Sequence, residues 1–421
     1  MALAVELADE LADGAKGAAL PLIRHDLGLS YGQIGLLASV PLLVGGLLEL
    51  PLGVLAGQGK RRRRAVLGGG LIFGLTLLGV AAARSFAALL CAFIAFYPAS
   101  GAFVSLTQAE LMDAQPGRQV QVMARWDLAG STGAVAGPLL LTAVLASGGG
   151  WRDAYLVLAG VAAVTWLGTC LRGPLGMTAA AKQVAGQERG ARADAERWAG
   201  ADAERWAGAD AEGWAGADAE GWAGADAEGW AARAREVIAA ARDRGVLRWL
   251  VLLQIADLLV DVFTGFLGLY LVDVAHLRPA VAALAIAIRL GAALAGDAVL
   301  VGVLEQTGDR TVLRVSAVGA ALLYPGFLLV PGVVTKLVIL AGLSAATAPW
   351  YPLLQAGLYR SLPGRSSVAV TLSSAAGLAG GLGPLAVGLA AEAFGLAWAL
   401  AGLVVVPVAI LLVSTRADPS E

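Results

Sequence analysis

The chain has 421 residues, of which 58% are apolar and only 15% charged, and its mean hydropathy is +0.73. Soluble domains are about 45–50% apolar and about 25% charged, so this much apolar surface calls for lipid rather than a single buried core. A formal net charge of −2 excludes a protein that works by neutralising nucleic-acid phosphates.

In chain order, segment 1–22 comes first, and its acids give it the wrong polarity for a cleavable signal peptide. Apolar runs follow at 31–56, 65–83, 86–109, 122–147 and 153–171, then at 249–272, 279–303, 312–330, 334–357, 368–390 and 395–414. Runs of about 20 residues cross a ~30 Å hydrocarbon core as helices. With 1–22 counted, the expectation is an all-α integral membrane protein of twelve transmembrane helices. It divides into a six-helix half at 1–172, a linker at 173–248, a second six-helix half at 249–414 and a tail at 415–421. Cys91 and Cys170 fall in separate apolar runs and imply neither a disulfide framework nor a metal site.

The linker differs in character from the rest. An octamer repeats through 193–232, reading ADAERWAG twice and then ADAEGWAG. The recurring Gly works against a helix. It reads as a low-complexity spacer, with partner docking as the alternative.

Positive charge sets the orientation. If both termini are cytoplasmic, Arg24, Arg84, Arg152, Arg278 and Lys336 face outward, while the run Lys60–Arg64 and most other basic residues face inward. A multi-pass protein of the inner or plasma membrane follows.

The two halves repeat each other. Gln108-Ala109 and Pro116-Gly117-Arg118 return 247 residues later as Gln355-Ala356 and Pro363-Gly364-Arg365, and Gly137-Pro138 returns as Gly383-Pro384. Glu6, Asp9, Asp13, Lys16 and Gly17 align with Gln254, Asp257, Asp261, Thr264 and Gly265. Segment 1–22 therefore spans from its first residue, unless the natural start lies upstream of Met1. Two parallel halves are expected to hold a substrate site between them.

After the second span the chain reads Gly53-Val54-Leu55-Ala56-Gly57-Gln58-Gly59-Lys60-Arg61, with a degenerate copy at Gly302–Arg310, and the fifth span carries Gly133-Ala134-Val135-Ala136-Gly137-Pro138. This pattern resembles the major facilitator superfamily. Gly57 stands where that family usually has an acid. The fifth-span motif looks like the signature of the drug:proton antiporter branch. The resemblance implies a secondary transporter working by alternating access, with Gly53, Gly59, Lys60 and Arg61 in a gating loop, and with Gly133, Gly137 and Pro138 marking an antiporter.

A charged stripe carries the chemistry. At about 100° per residue, Asp9 and Asp13 project about 40° apart, and Glu6, Glu10 and Lys16 share their arc. Asp257 and Asp261 repeat the geometry beside Gln254 and Thr264. Each charge at that depth costs about 2.5–3.5 kcal/mol on insertion scales, so the stripe is expected to face a wet pathway or countercharges. Asp13 and Asp261 are the expected central pair for proton coupling, with Asp9 and Asp257 behind them. Static pairing with Lys16 and Arg289 is the plainer alternative. Gln108, Gln355, Trp350 and Tyr351 are candidate cavity residues; interhelical bonding explains the glutamines equally simply, and packing is the commoner role of such aromatics. Glu49 and Asp297 are candidate latch residues at the inward ends of spans two and eight.

No GxxxxGK[ST], HExxH or Cys/His cluster is present, so neither an enzyme nor a bound cofactor is expected. The expected partners are a small-molecule substrate, protons and the bilayer, with the chain a monomer. The favoured function is proton-coupled efflux of a small amphipathic or cationic molecule. Proton-coupled import of a nutrient needs the same stripe, and a non-transporting receptor that uses the repeats is the rival of another class.

Overall fold

A computed structural model describes residues 1–56, 60–113, 119–171, 235, 237–304, 307–362 and 366–415, and the regular structure among them is helical. The octamer repeats, Gly57, Gly59, Glu305 and residues 115–118 and 363–365 lie outside the described residues, as do the side chains of Glu49 and Lys60.

The first half comprises α1 (Ala2–Leu27), α2 (Tyr31–Ala56), α3 (Lys60–Ala82), α4 (Phe86–Asp113), α5 (Gln119–Ala146) and α6 (Trp151–Leu171). The second opens with α7 (Arg244–Val274), followed by α8 (Pro279–Leu304) and α9 (Asp309–Leu329). The tenth helix, α10, has two pieces, Val333–Thr347 and Trp350–Ser361, parted at Pro349. Helix α11 likewise runs as Ser366–Gly380 and Gly383–Phe394, and α12 runs as Leu396–Ala401, the 3₁₀ turn Gly402–Val404 and Val405–Thr415.

Ten of these helices, α2 to α11, are long and apolar enough to cross a membrane. The other two depart for visible reasons. Helix α1 is 26 residues long but carries the acid stripe. Helix α12 yields only a shorter apolar stretch, Leu396–Leu412. Large apolar side chains such as Leu322, Leu329, Val334 and Trp398 are exposed, as a lipid-facing surface requires.

Helix ends follow local chemistry. Helix α1 runs to Leu27, past the predicted 22, and stops where Gly28 adopts the left-handed conformation at φ 61° and returns its N–H to the Arg24 carbonyl. Helix α7 starts at Arg244 rather than 249, because the Asp243 carboxylate accepts the N–H groups of Gly245 (2.7 Å) and Val246 (3.3 Å).

Small residues set the packing of α1 on α5. A Cβ on Gly133 would lie 2.5 Å from the Leu7 carbonyl oxygen, and one on Gly137 would lie 2.4 Å from that of Leu11. Only hydrogen fits between these backbones. Aromatic clusters fill the two interiors: Phe73 lies 5.1 Å from Phe96 in the first half, and Phe263 lies 5.3 Å from Tyr324 in the second. Tyr324 closes its own polar atom on the Leu400 carbonyl, at 2.6 Å.

Candidate functional site

The α1 stripe divides according to what faces it. Lys16 Nζ donates to Asp13 at 2.5 Å and to the Tyr97 hydroxyl of α4 at 2.6 Å, and sits 4.9 Å from the Tyr97 ring. Asp13 keeps about half of its side chain exposed. One turn earlier, Asp9 accepts from Ser100 Oγ of α4 at 2.7 Å. Glu6 is buried against α5. A Cβ on Gly130 would come 2.7 Å from Glu6 Oε1, so α5 yields its side-chain space to the acid. Behind Lys16, on α6, the buried Tyr155 hydroxyl has no hydrogen-bond partner among the described residues and lies in electrostatic reach of Lys16 and Asp13.

Helix α7 answers with a different local structure. Leu258–Val262 is one of two π-helical turns in α7, the other being Tyr270–Val274, and is closed by the Phe263 N–H on the Leu258 carbonyl. Two side chains donate to the Val260 carbonyl within this turn: Thr264 Oγ1 and the Arg289 guanidinium of α8. Arg289 also donates to Thr264 Oγ1 at 2.7 Å and to Ser344 Oγ of α10 at 3.2 Å, and is only 4% exposed. These acceptors are all neutral. A π-turn inside a helix is a feature that recurs at functional sites.

Asp261 sits in this turn with its side chain exposed. Its carboxyl is within hydrogen-bonding reach of the Asp257 carboxyl and within electrostatic reach of Asp13 across the halves and of Arg289 behind it. Exposed Tyr351 of α10 lies in electrostatic reach of both acids. The arrangement is asymmetric. The first half holds its central acid against a lysine, whereas the second holds two carboxyls against each other.

Other predicted residues are placed elsewhere. Trp350 is fully buried and donates to Ser316 of α9 at 3.0 Å. Gln108 reaches the Met123 sulfur at 3.5 Å, and Gln355 reaches Ser373 at 3.5 Å, so both bridge helices within one half. Asp297 is exposed near the end of α8, and Arg61 is exposed in the first turn of α3. Gly133 and Gly137 pack on the α1 backbone, while Pro138 is buried one residue later.

Hydrogen bonds between the halves gather at the end where α1 stops and α2 begins. Arg24 donates to Asp273 at 3.0 Å, and the Tyr31 hydroxyl donates to the same carboxylate oxygen at 2.9 Å. Glu392 of α11 accepts the Gly32 N–H at 3.1 Å, Ser39 accepts the Leu385 N–H at 3.0 Å, and Thr142 reaches the Ala280 carbonyl at 3.5 Å. Backbones touch here too: a Cβ on Gly388 would lie 2.5 Å from the Tyr31 carbonyl oxygen. Sequence reasoning missed Ser100, Tyr155, Ser344 and this outer cluster. Each is a single polar residue at a span end or in a polar-poor helix, with no spacing to betray it.

A sequence model of the Major Facilitator Superfamily matches residues 7–371. No curated protein matches the chain. Among solved structures, the nucleoside transporter NupG superposes with a TM-score of 0.70 at 12% identity, covering 99% of each chain. A bacterial homologue of the human lysosomal transporter Spinster, in an inward-facing and occupied conformation, gives 0.72 at 14% identity, covering 99% of this chain and 97% of that one. A POT family transporter in complex with 5-aminolevulinic acid gives 0.70 at 12% identity, covering 98% and 94%. At these identities the likeness is one of fold.

Proposed function

Because this chain belongs to the Major Facilitator Superfamily, and is thus a membrane transporter rather than an enzyme, we propose that it exports a small cationic or neutral amphipathic molecule in exchange for protons. The carboxyl pair Asp257–Asp261 carries this reading. A hydrogen bond between two carboxyl groups needs a proton on one of them, and the pair faces Asp13 of the other half. Protons entering at the pair discharge it and release a cationic substrate; losing them restores the charge that binds the next one.

The gathering of cross-half bonds at one end supports alternating access, the halves rocking about the midplane acids. Efflux as the direction rests on the fifth-span resemblance at Gly133, Gly137 and Pro138 to the drug:proton antiporter branch. The positive-charge pattern supports both termini and the 173–248 linker on the cytoplasmic side.

Uptake of a small zwitterionic nutrient is the second reading, favoured by Lys16 standing beside the acids. Counterflow in inverted vesicles separates the two: accumulation under an inward-acid gradient supports efflux, and depletion supports uptake. Proton release on adding candidate amphipathic cations to detergent-purified protein tests the coupling itself. Release that persists unchanged in both Asp13→Asn and Asp261→Asn would remove the acids from the mechanism.

A further inference from the structure

Tyr155 of α6 is packed as a hydrophobic ring and yet carries a polar atom that nothing around it uses. It is 1% exposed, and its ring meets the Trp151 ring edge-on with centroids 6.1 Å apart. A phenylalanine would make the same contact. The hydroxyl has no hydrogen-bond partner among the described residues, and a buried hydroxyl left unpaired gives up its hydration without return.

That hydroxyl lies in electrostatic reach of Lys16 of α1, with Asp13 and Tyr97 beside it. The Lys16 ammonium has three hydrogens to donate. Two are placed, one on Asp13 at 2.5 Å and one on the Tyr97 hydroxyl at 2.6 Å. The two ends of the ion pair differ in access: the Asp13 side chain is 52% exposed, whereas that of Lys16 is 19% exposed. A proton or a cationic substrate can therefore reach Asp13 directly, and either one cancels the charge that holds the lysine. Lys16 is then a buried cation short of an acceptor, which costs far more than the same loss in water.

The other titratable groups around the pair offer Lys16 no better refuge. Asp9 is two turns down α1 and already accepts from Ser100 Oγ at 2.7 Å. Glu10 projects about 120° round the helix from Lys16. Asp261 of α7 belongs to the other half and is engaged with Asp257. Tyr97 of α4 already holds the ammonium. Tyr155 is the neighbour whose oxygen is unfilled among the described residues. A charged acceptor binds an ammonium more strongly than a neutral phenol does, so Lys16 stays on Asp13 while that acid is ionised and free.

We propose that the Tyr155 hydroxyl is a second station for Lys16: the ammonium pivots on Tyr97 from Asp13 to Tyr155 when Asp13 is taken by a proton or a cation. Tyr155 is thus a positioning residue that acts through Lys16. The proposal rests on the reading that Asp13 belongs to the exchange site.

Infrared spectroscopy and melting of detergent-purified full-length protein test this without substrate or gradient. Asp13→Ala removes the first acceptor at a half-exposed position. Its difference spectrum against wild type is expected to show a tyrosine C–O band shifted by a new hydrogen bond. With Tyr155→Phe in both proteins, that band is expected to vanish. Tyr155→Phe alone should leave the melting temperature unchanged or raise it, because the hydroxyl it removes is unpaired. In the Asp13→Ala background the same change should lower it, the folding equilibrium constant falling about tenfold, the size of one charge-assisted hydrogen bond. In Lys16→Met/Asp13→Ala that penalty should disappear. Asp13→Asn, uncharged and of the same shape, serves in the same comparisons where Asp13→Ala does not fold. A Tyr155 band that is the same with and without the Asp13 carboxylate overturns the proposal, and so does an equal effect of Tyr155→Phe on melting in both backgrounds. Neither readout involves transport, so failure of the efflux reading leaves both standing, and their failure leaves the Asp257–Asp261 pair untouched.

Discussion

Arg24 at the end of α1 and Asp273 in the last turn of α7 meet at 3.0 Å and join the two halves across a sequence separation of 249 residues. The pair is not isolated. The Arg24 guanidinium lies 4.1 Å from the Tyr31 ring, while the Tyr31 hydroxyl donates to the same Asp273 oxygen. Arginine, tyrosine and carboxylate therefore form one cluster on three helices, and parting the halves at this end breaks it as a unit.

Asp273→Asn is expected to loosen that closure. The pair is partly exposed, 28% and 21% by side chain, and such pairs contribute about 1 kcal/mol or less, so the closed population falls several-fold rather than vanishing. Ser39 is a suitable reporter, since it is fully buried and accepts the Leu385 N–H between the halves. The measurement is the rate at which a Ser39→Cys thiol reacts with a soluble maleimide. Faster reaction in the Asp273→Asn background supports the latch, and an unchanged rate rejects it.

The acids at the midplane call for a different test. Replacing Asp261 by Asn leaves a side chain of similar shape that cannot exchange a proton with Asp257. A charged hydrogen bond contributes about 1.5–3 kcal/mol, so proton-driven transport should slow at least tenfold. Substrate exchange at equal pH should survive, because it needs no net proton movement. Loss of exchange and of driven transport together would instead place Asp261 in holding the substrate or the local structure rather than in proton transfer alone.

Lys16 and Asp13 form a pair whose breaking should exceed its worth. Lys16→Met leaves Asp13, Asp9, Glu6 and Glu10 on one helix without their nearest cation. Removing both partners, as Lys16→Met/Asp13→Asn, should recover part of the stability lost in the single lysine variant. A double-mutant cycle on melting in detergent should give a coupling of about 1–3 kcal/mol; a coupling near zero would mean that Tyr97 alone anchors Lys16.

Much of this was legible beforehand, for reasons that differ by feature. The span count follows from the length of apolar runs, which lipid thickness fixes, and the acid stripe follows from i, i+4 spacing on a helix. The internal repeat showed which residues correspond, and Asp261 lies within electrostatic reach of Asp13 of the other half. The π-turn was not legible. It adds no residue type or spacing that a regular helix lacks, yet the Val260 carbonyl within it accepts from Arg289. The fate of Gln108 and Gln355 was open for a similar reason, since a polar side chain can point into a pathway or across to a neighbour with no change in sequence. The outer cluster was hidden because Arg24, Tyr31 and Asp273 sit at span ends, where polar residues are ordinary.

Glycine packing yields a prediction with an internal control. Gly137→Ala would set a methyl group 2.4 Å from the Leu11 carbonyl oxygen and 2.5 Å from the Ala15 nitrogen, both backbone atoms that cannot rotate aside. Overpacking of this kind typically costs 1–3 kcal/mol, and the melting temperature should fall accordingly. Gly377→Ala in α11 meets nothing within 4 Å and should be neutral or slightly stabilising through helix propensity. Equal effects at both positions would mean that α1 and α5 are not held at backbone distance.

Arg289 gives the last test, because its three contacts need a planar fork. Its guanidinium reaches the Val260 carbonyl, Thr264 Oγ1 and Ser344 Oγ from separate nitrogens, tying α8 to the π-turn and to α10. A lysine keeps the charge near Asp261 but cannot reproduce that geometry. If the charge is what matters to the acids, Arg289→Lys should transport nearly as well as wild type and Arg289→Gln should not. If the fork matters, both variants should lose transport alike, and Arg289→Lys should also unfold earlier, because Val260 and Ser344 are each left a bond short. The geometry favours the second outcome, with Arg289→Lys losing at least half of wild-type transport at unchanged membrane abundance. Wild-type transport by Arg289→Lys would show that the π-turn holds without its clamp.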